Sequence, residues 1–264
     1  MVIFIQRYIS KKILITLFFF ILLTVACSPQ NSNNIHLKFG NPSQANNKNY
    51  NNYLIEKSSY TLSYNCQAGT PNWVSWQLNN SWLGSVERSD DFRPDSDIPQ
   101  DCYTVKPTDY RGTGYDRGHM TPSGDRTRRI NDNSATFVMS NIIPQSPANN
   151  REIWRELEEY SRKLVKESGK ELYIIAGGEG KEKQIAEGKV TVPKYTWKVI
   201  LILDKPEEEV TENTATIAVR IPNSEEVART DWQDYIVSVD EIEKRTGYNF
   251  FSQIPRQIQK QIEK

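Results

Sequence analysis

Tyr60, Leu62 and Tyr64 alternate with polar residues, and the same period returns at Val74, Trp76 and Leu78 beyond Gly69-Thr70-Pro71-Asn72. A repeat of two puts successive side chains on opposite faces, so these runs predict two strands of a hairpin with a turn at 69–72. Leu172 to Ala176, Trp197 to Asp204 and Ala215 to Ile221 are short runs rich in branched and aromatic residues and predict further strands. The period changes between Asn150 and Ser168, where Ile153, Leu157, Tyr160 and Leu164 recur every three or four residues until Gly169 stops the run. That spacing predicts a helix with one buried stripe. Ser238 and Glu241 form a capping box for a short helix ending at Gly247, and Ile254, Ile258 and Ile262 mark a last amphipathic helix begun by Pro255. Together these elements predict an α+β fold, with a central, mostly antiparallel β-sheet flanked by helices.

The N-terminus has a different pattern. Arg7, Lys11 and Lys12 precede an apolar run of 14 residues, Ile13 to Ala26, in which two threonines are tolerated. This is short for a membrane span, which needs about 20 residues, and reads as an export signal over 1–26. The run closes in Leu23-Thr24-Val25-Ala26-Cys27-Ser28, which resembles a bacterial lipobox, although Thr24 stands where leucine is usual. Lipidation at Cys27 would leave a membrane-anchored lipoprotein; cleavage without lipidation would leave a secreted or periplasmic one. From Ser28 to Asn52 the chain has nine asparagines in 25 residues and few large apolar groups. Residues 27–54 are therefore expected to be a flexible tether to a domain over 55–264, with Ile35, Leu37 and Phe39 able to pack on its edge and His36 at the surface.

Composition narrows the function classes. With 37% hydrophobic and 11% aromatic residues, the chain can bury a sizeable core as one domain. Its net charge is +0, and removal of the leader's three cations makes it mildly acidic, so it is not a wholly basic DNA-coating protein. A polyanion would have to be gripped by a local cluster. Cys66 and Cys102 are an even pair in a chain expected to be exported, which favours a disulfide over two buried thiols; no Cys-x-x-Cys or Cys/His cluster is available for zinc. Gly178-Glu179-Gly180 is read as a turn, because Lys183 stands where a dinucleotide fingerprint needs its third glycine.

The candidate chemistry lies in Tyr115-Asp116-Arg117-Gly118-His119-Met120, which holds one of the chain's two histidines. A neutral imidazole can accept a proton from water near pH 7, which neither lysine nor arginine does without a large pKa shift. From Arg111 to Arg129 five arginines (Arg111, Arg117, Arg126, Arg128, Arg129) face two aspartates, and the arginine fork matches phosphate oxygens. Phosphodiester hydrolysis needs an activated water, a partner for charge on phosphorus, and help for the departing oxygen. His119, the arginines and a hard cation could supply them. Asn150 offers a carbonyl oxygen suited to Mg²⁺, and on a helix begun there Glu158 lies about 12 Å further along the axis. Arg162, four residues beyond Glu158, shares its face.

Four stretches resemble the DNA/RNA non-specific endonucleases of the ββα-metal, or His-Me finger, class, which includes bacterial secreted nucleases and mitochondrial endonuclease G. They are Pro71 to Trp76, Glu87-Arg88-Ser89-Asp90-Asp91-Phe92-Arg93-Pro94-Asp95, Asp116-Arg117-Gly118-His119-Met120, and Asn149-Asn150-Arg151-Glu152-Ile153-Trp154-Arg155-Glu156-Leu157-Glu158. The likeness spans roughly residues 55 to 260; Cys66, Cys102 and the lipobox-like leader depart from it. The resemblance implies that His119 is the general base, that Asn150 is the sole protein ligand of Mg²⁺ or Mn²⁺, and that Glu158 steadies the water around the ion. It implies that Arg88 and Arg162 hold the phosphate and its developing charge, with Arg117 beside the base; Arg126 joins the phosphate binders from its place in the basic run. It also implies a site built on a β-hairpin and a helix, Asn149 being expected as the helix cap. Such a site reads backbone phosphate rather than a particular base or a 2′ hydroxyl, so single- and double-stranded DNA and RNA should be cut, leaving 5′ phosphates. The competing readings are a surface nucleic-acid receptor that binds without cutting and a membrane-displayed interaction scaffold. Neither biological purpose, nor a protein inhibitor, nor oligomeric state is legible.

Overall fold

The computed structural model describes residues 34–264; the expected export signal and Cys27 lie outside the described residues. The strands are β1 (Tyr53–Glu56), β2 (Thr61–Asn65), β3 (Thr70–Leu78), β4 (Asp116–His119), β5 (Ile142–Gln145), β6 (Glu171–Glu179), β7 (Lys183–Ile185), β8 (Val190–Val192), β9 (Tyr195–Leu203), β10 (Ala215–Pro222) and β11 (Ile236–Val237). The helices are α1 (Ile130–Ala135), α2 (Trp154–Ser168), α3 (Val239–Thr246) and α4 (Arg256–Ile262). Seven strands form one antiparallel sheet in the order β1-β2-β3-β6-β9-β10-β11, while β4–β5 and β7–β8 are separate antiparallel pairs. This is the expected α+β fold.

Burial on both faces explains why β6 and β9 read as nearly continuous apolar runs. Leu172, Ile174 and Ala176 of β6, with Ile200 and Ile202 of β9, pack against Ile153, Trp154, Leu157 and Val165 at and within α2. The alternate positions Tyr173, Ile175, Val199, Leu201 and Leu203 pack against Val239 and Ile242 of α3, Phe250, Phe251 and Ile262. The result is three layers, with α2 on one face of the sheet and the C-terminal helices on the other.

Several expectations need correction. The hairpin forms, but its turn lies at 66–69, and Thr70 already belongs to β3 because Asn65 pairs with Thr70. From Asn34 onward the expected tether is folded onto the sheet. Leu37 and Ala45 are buried with the second core, Asn46 bridges Tyr53, and the Asn52 side chain accepts from Ser43 and Ser63. The asparagines that suggested solvation instead satisfy backbone and side-chain groups at the sheet edge. His36, expected at the surface, is buried. Its Nδ1 accepts the Gln77 N–H at 3.2 Å and its Nε2 lies 3.1 Å from the Ser58 carbonyl, a pattern only the neutral ring fits. Burial, then the Arg126 charge, push its pKa down to about 4.

Cys66 and Cys102 are joined, with their Cα atoms 5.2 Å apart. The bridge fixes the loop carrying Arg88 and Phe92 to the end of β2.

Candidate active site

β4 carries the central motif, and its alternation sorts the four side chains. Asp116 and Gly118 face the start of the helix that follows β5, while Arg117 and His119 face a wall of aromatic rings. A methyl group at Gly118 would collide with the Gln145 side-chain amide, so the glycine is needed where Gln145 crosses the strand pair. Gln145 Nε2 then donates to Asn149 Oδ1 at 2.8 Å. The expected β-hairpin is the antiparallel pair β4–β5, with twenty-two residues between its strands. The excursion is stitched down by Asn141, whose side chain accepts from Thr121 N–H and donates to the Thr121 and Thr136 carbonyls.

The His119 ring lies between Phe92 and Phe137, with centroids at 5.3 and 4.9 Å, and Trp154 Nε1 of α2 donates to the His119 carbonyl at 3.3 Å. The Arg117 guanidinium lies 4.1 Å over Phe92 and that of Arg88 4.8 Å over Phe137. The rings therefore support the histidine and both arginines together. His119 Nε2 is buried with no hydrogen-bond partner among the described residues, which is costly unless a ligand completes it. Burial first, then the Arg88 and Arg117 charges, lower its pKa to about 3, so the imidazole is neutral. An anion bound by those arginines would offset part of this shift and make the ring a better base.

Asn150 stands in a single turn of π-helix, Asn149–Ile153, that leads into α2. Its Nδ2 donates to Asp116 Oδ2 at 2.9 Å, and Arg151 grips the same carboxylate at 2.7 and 2.6 Å. Burial alone would raise the Asp116 pKa, but the hydrogen bonds from Arg151 and Asn150 and the arginine charges hold it below its usual value. With Nδ2 committed, Oδ1 is the free end of Asn150 and accepts no hydrogen bond among the described residues. Asn149 is not a helix cap. It is buried inside the π turn, accepts from Gln145, and donates to Thr196 Oγ1 at 2.9 Å and to the Pro222 carbonyl at 3.0 Å.

Glu158 and Arg162 face β9 from α2. Arg162 is 2.9 Å from Asp125 and 3.9 Å from Glu158, and Asp125 is itself held by Trp76 Nε1 at 2.9 Å. Beneath Glu158, 4.0 Å away, is the ammonium of Lys198, a residue 1% exposed and 4.0 Å from the Trp154 ring. Burial pushes Glu158 up, to about 7, and Lys198 down, to about 8, while each charge opposes the other's shift. Thr196 and Lys198 lie on the same face of β9 as Ile200 and Ile202. Two polar groups thus sit under the helix that carries the site.

One cleft is lined by Arg88, Arg117, His119, Asn150, Glu158 and Arg162, and by Arg151 and Arg155 along α2. An adjoining cleft shares Arg88, Arg117 and Asn150 and continues past Phe92, Tyr110, Arg111 and Tyr115. All of the expected site residues converge there except Arg126. That side chain is fully buried, donates to the Ser59, Gln77 and Asp125 carbonyls, and packs 4.2 Å from the Trp82 ring. Its burial lowers its pKa to about 10, yet it remains charged and holds three loops together rather than a phosphate. The sequence reading missed Asp116 as the partner of Asn150, Asp125 as the anchor of Arg162, and Lys198. Only Lys198 left a signal: a lysine at a core-facing position of an apolar strand.

An α+β domain that gathers a histidine on a strand pair, an asparagine at the head of the next helix and arginines about both holds a base, a hard oxygen donor and cations in one cleft, the parts that phosphodiester hydrolysis requires. The chain belongs to the DNA/RNA non-specific endonuclease family, whose profile it matches over residues 37–257. A protein named Nuclease from Nostoc sp. is 50% identical over 257 residues, spanning 91% of this chain and 93% of that one. Mitochondrial nuclease EXOG of Homo sapiens is 31% identical over 213 residues, 75% of this chain and 57% of that protein. A crystal structure of an EndoG/EndoGI complex superposes with a TM-score of 0.71 at 28% identity, covering 84% of this chain and 92% of that chain. The protein is accordingly a non-specific nuclease.

Proposed function

We propose that this nuclease is a metal-dependent endonuclease that hydrolyses internal phosphodiester bonds of DNA and RNA and leaves 5′ phosphates. The observation that carries the reading is the neutral, unpartnered Nε2 of His119 in a cleft bordered by Arg88, Arg117 and Arg162. The free Oδ1 of Asn150, a hard oxygen donor with Glu158 nearby, fits a Mg²⁺ or Mn²⁺ ion. When bound, such an ion neutralises charge on the phosphate and on the departing 3′ oxygen. Arg88 and Arg117 bind the non-bridging phosphate oxygens through cationic forks, and Arg162, held by Asp125, adds positive charge where charge accumulates. His119 takes a proton from water as the water oxygen bonds to phosphorus. The bond from phosphorus to the 3′ oxygen breaks, so the phosphate stays bonded to the 5′ oxygen of the downstream fragment, and the departing 3′ oxygen takes a proton from solvent water and ends the upstream fragment as a hydroxyl.

Purified protein should degrade both supercoiled plasmid and ribosomal RNA, lose that activity in excess chelator and regain it with Mg²⁺ or Mn²⁺. The new ends should accept label from polynucleotide kinase only after phosphatase treatment. Binding without cleavage under all of these conditions would favour a receptor; cleavage unaffected by chelator would remove the metal from the proposal. The leader supports export with acylation at Cys27. Mass spectrometry of the mature N-terminus should find a lipidated cysteine, and an unmodified terminus beyond Cys27 would contradict the lipid anchor.

A further inference from the structure

On the sheet face opposite α2, three carboxylates meet. One oxygen from each of Asp240, Glu243 and Glu263 lies within 4.8 Å of the other two. Asp240 and Glu243 belong to α3, and Glu263 caps the C-terminal end of α4. The backbone already joins these elements, since the Asp240 N–H donates to the Glu263 carbonyl at 2.8 Å.

Acidic side chains often gather on surfaces without a ligand; Glu263 makes this cluster different. The residue is 5% exposed, and its Oε1 is buried with no hydrogen-bond partner among the described residues. Among the described residues no lysine or arginine lies within ion-pair distance of any of the three carboxylates. Glu243 Oε1 is occupied by the Phe250 N–H at 2.8 Å, and nothing comparable serves Glu263 Oε1. A buried carboxylate beside two others is expensive unless something cationic joins it. Burial and the Glu243 and Asp240 charges push the Glu263 carboxyl up to about 7, so a proton is one way to relieve the cost. It would neutralise one group and leave the other two without a cation.

A divalent cation serves all three. The donors are all oxygen, and a spacing up to 4.8 Å is about twice the Ca²⁺–oxygen distance of roughly 2.4 Å, whereas Mg²⁺ at about 2.1 Å would need a tighter cluster. We propose that Asp240, Glu243 and Glu263 form a calcium-type divalent-cation site, separate from the nuclease cleft, that clamps the C-terminal end of the chain to α3. The site does not depend on the nuclease mechanism, and its role is stability.

The test uses the full chain carrying Asn150→Ala, which removes the ligand proposed for the cleft ion, melted in chelator and in CaCl₂. At Ca²⁺ about 100-fold above the dissociation constant, Tm should rise by about 5–10 °C. Adding Glu263→Gln should abolish that rise. An undiminished rise would place the ion elsewhere, and no rise in the parent chain would show that the cluster holds only a proton; either overturns the proposal. Should Glu263→Gln fail to fold, the exposed Asp240→Asn must shift the Ca²⁺ midpoint upward at least about 10-fold, as expected for loss of one charged ligand; an unchanged midpoint overturns the proposal as well.

Discussion

Replacing His119 by alanine is expected to lower kcat by about 10²–10⁴-fold while leaving affinity for DNA and RNA nearly unchanged. A general base acts only as the proton moves, so its loss falls on the transition state, whereas ground-state affinity comes from phosphate contacts. The structure adds a second arm to this test, because the ring also packs between Phe92 and Phe137, and alanine would leave a gap beneath Arg88 and Arg117. His119→Gln fills more of that gap and cannot accept a proton. Both substitutions should therefore cost a similar factor in turnover, measured with saturating nucleic acid and metal, while filter-binding affinity holds. Recovery of activity in His119→Gln, or a parallel loss of binding in both, would make His119 a packing residue.

How much of the site was legible follows from what a sequence does and does not encode. His119 and Arg117 share a face of one strand, and Asn150, Glu158 and Arg162 occupy the start and one face of one helix. Short motifs placed them because their mutual positions are set by local geometry. Arg88 comes from a long loop, and only resemblance could join it to the others. Arg126 shows the limit. Its charge fits a phosphate, but charge does not say which way a side chain points, and the Ser59, Gln77 and Asp125 carbonyls needed a donor. Residues 34–52 failed for a related reason: asparagine-rich composition suits solvent, yet each amide can also satisfy backbone at a sheet edge, as Asn41 does for Ala45. The sheet was the more legible part. Strands buried on both faces must be apolar at successive positions, so β6 and β9 announced themselves, whereas Lys198, the charged exception within β9, was passed over.

Asn149→Ala and Asn150→Ala should separate stability from metal use, and more sharply than a capping role for Asn149 would allow. Asn149 lies fully buried, and its amide joins β5, β9 and β10 through Gln145, Thr196 and Pro222. Truncation leaves the Pro222 carbonyl and the Gln145 amide without this partner, at about 1–3 kcal/mol for each group stranded away from water. The expected loss is about 2–4 kcal/mol, seen as a fall in Tm of about 4–15 °C, with the metal concentration for half activity unchanged at temperatures where the protein is folded. Asn150 is only partly buried, and the single hydrogen-bond partner of its side chain among the described residues is Asp116, which keeps Arg151. Its removal should leave stability within about 1 kcal/mol of the parent. At the same time it should raise the Mg²⁺ or Mn²⁺ concentration needed for half activity and lower the rate even at saturation. Metal titrations of cleavage beside melting curves decide the matter. A metal defect in Asn149→Ala alone would shift the ligand by one residue, and normal metal dependence in both would remove this asparagine pair from the metal site.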